Sequence, residues 1–505
     1  MDIGFISVPP IETKKKHDKI FPFSSSINYG VLSLATHLKE YGFSSKVLDP
    51  GIWKERLTIE LVLEWIRKNK PKYLALSCIS GFSYPGFKIL SREIRKVYPE
   101  IPIIGGGKDH LALIAYRALS ECPEVDVIVQ GEGEVPLVAL LKSGFSNSHL
   151  NALEGIKHIA FRGQKGKPVL NKEKSPTIEK LKPLDFNLYE NFRNHPPCIE
   201  VGRGCPFKCS FCSNDRNVIL KKSPAEIIRE AKSLSELYSS NDLFLYFQTP
   251  MFSMSDEELK TLAAFRNENE LDFNWRAQTR VDYLSRDKLK LIYQAGGRVL
   301  DLGLESGSEE MLAAMNKTKS PVEYLSKASE ILNAADQEQI TLKINLLFYA
   351  GERRSTLLET FKFLEAHTDL SWTLSAYPLL IYPGTSLEKT IDPLLKAHGG
   401  TKVTSQDWNE RVLVPVNPSS EFSYEEMQQL GILFGKSFQT SKMYFQERRY
   451  GHYRPNVSFQ DFLEHLQMID FELLPCSRDK QEMLFHRSTL KSILEKKYED
   501  SVNWS

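Results

Sequence analysis

The stretch VGRGCPFKCSFCSND, Val201 to Asp215, holds Cys205, Cys209 and Cys212 within one short loop, and no fourth cysteine completes the set. A structural zinc site asks for four protein ligands, and a disulfide framework asks for pairs. A cubane iron–sulfur cluster has four irons, each needing a ligand beyond the inorganic sulfides, so three thiolates leave one iron open to an exogenous ligand. Gly202 and Gly204 let the backbone pass close to such a cluster, Pro206 stiffens the turn, and Phe211 beside Cys212 shields the site from water. The rival is a zinc knuckle completed by His195, an awkward reach from upstream of Cys205.

These cysteines sit between two runs of alternating strands and helices. The chain has 505 residues, too many for one core, which implies two to four domains. Over residues 1–145 the short apolar runs IGFISV, KVLD, YLALSC, IPIIGGG and VDVIVQG alternate with stretches of helical spacing, as in YGVLSLATHLKEYG. That pattern predicts an α/β, doubly wound, Rossmann-like parallel sheet, with ligands held outside the carboxyl ends of its strands. Residues 146–190 read as a hairpin and a Pro-punctuated linker. Residues 191–390 resume the alternation at LFLYFQT, DFNWRAQT, VLDLGLES, TLKINLLFYAG and TLSAYPLLIYPGT, which predicts a full or partial (β/α) barrel. Residues 391–505 read as mainly helical.

Composition excludes several classes. Sixty-five basic residues meet 64 acidic ones, so no nucleic-acid partner is advertised. No run of about eighteen apolar residues predicts a membrane span, and the N-terminal MDIGFISVPPIETKKK reverses the order of a secretory signal. Seven cysteines in no spaced framework fit a reducing cytoplasm. Cys78, Cys122, Cys198 and Cys476 read as buried small hydrophobes, with Cys198 close enough to the loop to watch.

C-x3-C-x2-C with an aromatic before the last cysteine resembles the signature of the radical S-adenosylmethionine (SAM) superfamily. The resemblance implies a partial barrel with a [4Fe-4S] cluster on Cys205, Cys209 and Cys212, its open iron chelated by SAM. An electron from the cluster then cleaves the sulfonium and gives a 5′-deoxyadenosyl radical that abstracts hydrogen. LDLGLESGS (Leu300 to Ser308) resembles the family's strand end that contacts SAM, which implies roles for Glu305 and Ser306. WRAQTRVD (Trp275 to Asp282) resembles the preceding strand, with Gln278 and Arg280 as polar contacts and Phe211 beside the cofactor. Taken alone, Arg280 reads equally as a salt-bridge partner and Glu305 as a helix cap. YPGT at 382–385 resembles the late-barrel segment, whereas LYFQTPMFSM lacks the carboxylate-rich turn that relatives often show.

The first domain resembles the cobalamin-binding domain that precedes many such enzymes, through INYGVLSLATHLKEYGF, ALSCISG, IPIIGGG and VDVIVQGEGEVPL. This implies contacts from Ser77, Ser80, Gly105, Gly106, Gly131, Glu132 and Gly133, with glycines baring backbone to a large flat ligand. Glu132 and Glu134 read equally as caps of the following helix. The D-x-H-x-x-G loop that carries a cobalt-ligating histidine elsewhere is absent; His17 and His110 are candidates by position only. A bare scaffold that holds no cobalamin is the plain alternative.

The function implied is methyl transfer to an unactivated carbon of a biosynthetic small molecule, with a flavodoxin or ferredoxin as electron donor. The alternatives are a radical rearrangement, cyclisation or dehydration without methyl transfer, a methylthiotransferase, and a non-enzymatic sensor. The methylthiotransferase needs a second cluster in the first domain, where only Cys78 and Cys122 stand.

Overall fold

The computed structural model describes residues 1–11, 26–51, 53–146, 150–163, 166–171, 178–213, 219–240, 242–453, 457–466 and 473–496. His17 lies outside them.

Strands β1 (Ile3–Ser7), β2 (Ser45–Leu48), β3 (Tyr73–Ser77), β4 (Ile103–Gly106) and β5 (Val127–Val129) form a parallel sheet in the order β2-β1-β3-β4-β5. Helices Tyr29–Glu40, Glu55–Asn69, Tyr84–Val97, Ala115–Glu121 and Glu134–Ser143 connect and cover these strands. Two apolar cores form, one holding Phe5, Ile104 and Val127, the other Ile6, Leu76 and Ile128. A strand buried on both faces has no polar side to show, which is why these sequences are continuous apolar runs. The order reverses between β1 and β3, and that switch point marks the crevice. The expected hairpin, β6 (Ile159–Arg162) and β7 (Pro168–Asn171), extends this sheet by antiparallel pairing onto β5.

The second unit starts at β8 (Cys198–Glu200), followed by the antiparallel pair β9 (Gly202–Arg203) and β10 (Leu220–Lys221) that brackets the cysteines. Strands β11 (Asp242–Gln248), β12 (Asp272–Arg280), β13 (Gly297–Glu305), β14 (Thr341–Phe348) and β15 (Trp372–Pro378) join β8 in an all-parallel six-stranded sheet that stays open: a partial barrel. In β14 the residues Leu342, Ile344, Leu346 and Phe348 enter the core, and the period of two turns Lys343 and Asn345 to the lumen. Helices Pro224–Tyr238 and Asp256–Glu268 start on capping boxes, Ser223 with Glu226 and Ser255 with Glu258.

After the barrel, β16 (Leu380–Ile381) pairs with β18 (Val414–Asn417), which also pairs with β17 (Thr401–Lys402), so a small antiparallel sheet reaches into the region expected to be mainly helical. Two-residue strands are too short to carry a period. Helix Tyr424–Phe438 packs on β15. Just after it, the buried Gln439 side chain accepts from Leu374 N at 3.0 Å and donates to Leu374 O at 2.9 Å, so one amide pairs with the backbone of this strand.

Candidate functional site

The cysteine loop is tethered at its centre. Ser210 N donates to Met315 O at 3.0 Å, its hydroxyl lies 2.7 Å from Tyr349 Oη, and its carbonyl accepts from Leu387 N at 3.1 Å and Ser386 Oγ at 3.0 Å. Asn316 Nδ2 holds Lys208 O at 2.9 Å. The YPGT segment thus supports the loop, because Thr385 caps the helix that begins at Ser386. Cys205 and Cys209 are half-buried and Cys212 is exposed. Phe211 packs against an apolar cluster that includes Met311, Met315, Tyr349, Leu379 and Ile381. Burial pushes the Cys205 thiol up. Cys198 is fully buried with its thiol far up, an inert core residue. Cys78, Cys122 and Cys476 are buried too.

Arg280 and Glu305 meet around this loop. Arg280 Nη1 donates to Cys209 Sγ at 3.2 Å, and the guanidinium stacks 3.7 Å from the Phe207 ring centroid. The rest of the fork is held by Asp282, at 2.9 and 2.8 Å, and by Lys317 O at 2.5 Å. Burial alone would lower its pKa; the bonds to Asp282 outweigh that and fix the positive charge. Lys317 Nζ pairs with Glu305 at 2.8 Å. Glu305 has φ +70°, at a register shift that follows Gly303, and this left-handed kink turns the end of β13. Ser306 is buried, with its hydroxyl 3.1 Å from Thr360 Oγ1 and accepting from Ser308 N, so it braces the strand end from behind. Gln278 is exposed; its Nε2 donates to Thr249 O at 2.7 Å.

Between the two domains lies a cavity of about 430 Å³. Its first wall includes Ser77, Gly105, Gly106, Gly131, Glu132 and Gly133; its second includes Glu200, Arg203, Gly204, Ser213, Pro250 and Gln278. The glycines form a cradle. A Cβ on Gly106 would meet nothing within 4 Å, while Gly131 takes φ +70°, and Gly107, at φ +144°, would bring a Cβ to 1.9 Å from Cys78 O. Ser77 Oγ accepts from Asn28 Nδ2 at 3.2 Å. Ser80 does not line the cavity; its hydroxyl lies 3.4 Å from that of Ser83. Neither does His110, which is buried against Tyr84 and whose pKa burial pulls down to about 4, so no histidine among the described residues faces this space.

Arg203 joins the two walls. It contacts Glu200 at 2.6 Å, Glu134 at 2.7 Å, Glu132 at 3.9 Å and the Ser33 hydroxyl at 2.9 Å. Burial opposes its charge, but Glu134 and Glu200 raise its pKa well above the usual arginine range. Glu132 and Glu134 therefore serve this pairing; the helix Glu134–Ser143 has no side-chain cap.

The barrel lumen holds a feature that the sequence reading left unused. Arg276, fully buried on β12, forks onto Asp301 of β13 at 2.5 and 2.7 Å and reaches Glu447 at 2.5 Å. Lys343 stands 3.3 Å from Asp301. Tyr450 stacks on Phe244 at 4.2 Å and His452 meets the edge of Tyr246 at 5.6 Å, so the segment after helix Ser441–Arg448 plugs the lumen. Asp301, Glu447 and His452 are close enough to hold a cation, but Arg276 and Lys343 already occupy their charge. Burial, then Arg276 and Arg448, press the His452 pKa far down. The arginine is legible in WRAQT; its partner, over 150 residues later, is not.

The chain matches two family descriptions: the B12 binding domain over residues 24–141 and the Radical SAM superfamily over residues 199–364. It is 21% identical to an uncharacterised methyltransferase of Pyrococcus horikoshii, over 86% of this chain and 90% of that one. It is 26% identical to an anaerobic magnesium-protoporphyrin IX monomethyl ester cyclase of Cereibacter sphaeroides, over 60% of this chain and 50% of that one. The chain thus spans about half the length of that relative. Its fold superposes on OxsB, a cobalamin-dependent S-adenosylmethionine radical enzyme solved with aqua-cobalamin and S-adenosylmethionine, with TM-score 0.68 at 14% identity, over 98% of this chain and 79% of that one. No helix among the described residues is long and apolar enough to cross a membrane. The two domains imply an iron–sulfur cluster, SAM and cobalamin, and the residues present fit them: three thiols in one tight loop, and a glycine cradle facing that loop. The chain is a radical SAM superfamily member with a B12-binding domain on the amino-terminal side of its radical SAM domain.

Proposed function

We propose that this protein is a cobalamin-dependent radical SAM methyltransferase acting on an unactivated carbon of a small molecule. The observation that carries the reading is the single cavity walled by both domains, in which the glycine-rich strand ends of the first sheet face Gly204, Ser213 and Gln278. When bound, the cluster with SAM supplies hydrogen abstraction, and cobalamin supplies a methyl group in the same enclosure. Cys205, Cys209 and Cys212 would hold a [4Fe-4S] cluster, and Arg280 orients the loop through Cys209. Gln278, Arg280 and the Glu305–Lys317 pair would position SAM, and Ser306 supports them through Thr360. Gly105, Gly106, Gly131 and Gly133 would admit the corrin face, with Ser77 and Glu132 at its edge. The exposed Cys212 marks the side on which a one-electron carrier such as a flavodoxin or ferredoxin would approach. Seven cysteines that form no disulfide among the described residues support a reducing compartment such as the cytoplasm.

A second reading is supported by the similarity to the cyclase of Cereibacter sphaeroides: a radical cyclisation or rearrangement without methyl transfer. Anaerobic reconstitution with iron, sulfide and hydroxocobalamin, then metal analysis after desalting, is the test. About four irons and about one cobalt per chain, with S-adenosylhomocysteine formed on turnover, support the methyltransferase. Cobalt without S-adenosylhomocysteine favours the second reading, and irons retained by Cys209→Ala overturn the cluster assignment.

A further inference from the structure

Among the described residues the lumen charges do not cancel. Arg276, Lys343 and Arg448 bring three cations, and Asp301 and Glu447 bring two carboxylates. Asp301 is held ionised, because Arg276 and Lys343 outweigh its burial. His452 is held neutral by burial and by the same arginines. Arg276 takes both carboxylates, Asp301 in a two-pronged fork and Glu447 at 2.5 Å. The excess charge is therefore left on Arg448. That side chain is only 16% exposed, and its one carboxylate neighbour among the described residues is Glu447, 4.0 Å from Nε. Nε has no acceptor among the described residues. The guanidinium lies over the Tyr444 ring, 4.5 Å from its centroid. Tyr444 is itself 2% exposed, and its hydroxyl also has no partner among the described residues.

A guanidinium whose carboxylate stands no nearer than 4.0 Å, beside a hydroxyl with no partner among the described residues and both largely withdrawn from water, is costly unless a further acceptor completes it. The open side is shown by Tyr377. It lies on the lumen face of β15, alternating with the core residues Trp372 and Leu374, is 57% exposed, and is within electrostatic range of both Tyr444 and Arg448. We propose that Arg448 and Tyr444 form an anion subsite on the lumen wall, and that the substrate carries a carboxylate or phosphate group that docks there. The inference rests on the reading of the barrel as the reaction chamber. A guanidinium forks onto either anion, and the phenol supplies a further donor.

The test is arginine modification of the reconstituted full chain with phenylglyoxal, read by peptide mass spectrometry, alone and with inorganic phosphate or hexanoate. Arg448 should be labelled in the free protein and protected several-fold by an anion, while fully buried Arg276 stays unlabelled. Protection by phosphate assigns a phosphorylated substrate, and protection by hexanoate alone assigns a carboxylate. Protection by neither, or no labelling of Arg448, overturns the subsite. Tyr444→Phe keeps the stacking ring and should weaken protection several-fold with unchanged melting temperature; undiminished protection in that variant overturns the two-residue site. Iron and cobalt are measured on the same samples. Full loading without protection removes the subsite alone, whereas protection without cobalt removes the methyltransferase reading alone.

Discussion

Arg280 donates to the sulfur of Cys209 across 3.2 Å while the same guanidinium stacks on Phe207, two residues before that cysteine. One side chain thus ties the end of β12 to the cluster loop through both a hydrogen bond and a ring. Hydrogen bonds to cluster sulfurs raise the reduction potential. Arg280→Met should therefore move the cluster potential tens of millivolts negative, and Arg280→Lys should recover only part, since an ammonium cannot fork onto Asp282. Potentiometric titration followed by electron paramagnetic resonance checks both.

Arg203 is the clasp between the domains, and its removal leaves Glu134 and Glu200 facing each other in a buried space. Breaking a buried pair of this kind costs about 3–5 kcal/mol. Arg203→Met should lower stability by that order in urea unfolding and separate the melting of the two domains. A single unchanged transition would show that the clasp contributes little.

Adjacent glycines should respond in opposite ways. Gly107→Ala forces a Cβ to within 1.9 Å of Cys78 O at φ +144°, so the variant should fail to fold. Gly106→Phe projects into open space. It should fold with normal circular dichroism and iron content yet retain little cobalt after desalting.

Burial raises the carboxyl of Glu352, which accepts from Thr356 Oγ1 at 2.5 Å, to about 8 from an ordinary value of 4.5. Between those two pH values the folded protein holds a proton that the unfolded chain has lost. Stability is then full below about pH 4.5 and declines as pH rises toward 8. Glu352→Gln, which stays neutral, should flatten this decline. Melting temperatures from pH 5 to 9 would show it, the wild type losing several degrees more than the variant.

The sheets were legible because their main strands are parallel and either buried on two faces or alternating between core and lumen, so IGFIS, YLALS and TLKINLLF announce themselves by apolar content or by a period of two. The cysteine loop was legible because its chemistry is local. Arg280 was read from its position in WRAQTRVD, but its bond to Cys209 spans 71 residues and no spacing rule reports it. The Arg203 clasp and the Arg276–Glu447 pair share that reason: each partner lies on another element, and one charged residue looks like any other until the fold buries it. Ser306 and Ser80 show the converse, since a well-placed hydroxyl in the sequence turned to an internal partner, Thr360 and Ser83.

An incomplete barrel has a problem that a closed one does not: its last strand ends in a row of bare amides and carbonyls, a template for a strand from another molecule. Here Gln439 answers part of it, its carboxamide standing in for one rung of a neighbouring strand at Leu374. The side chain imitates a peptide, and a peptide mimic that is covalently tethered cannot be displaced by dilution or exchanged between chains. At Leu374 the open edge is therefore capped from within the chain.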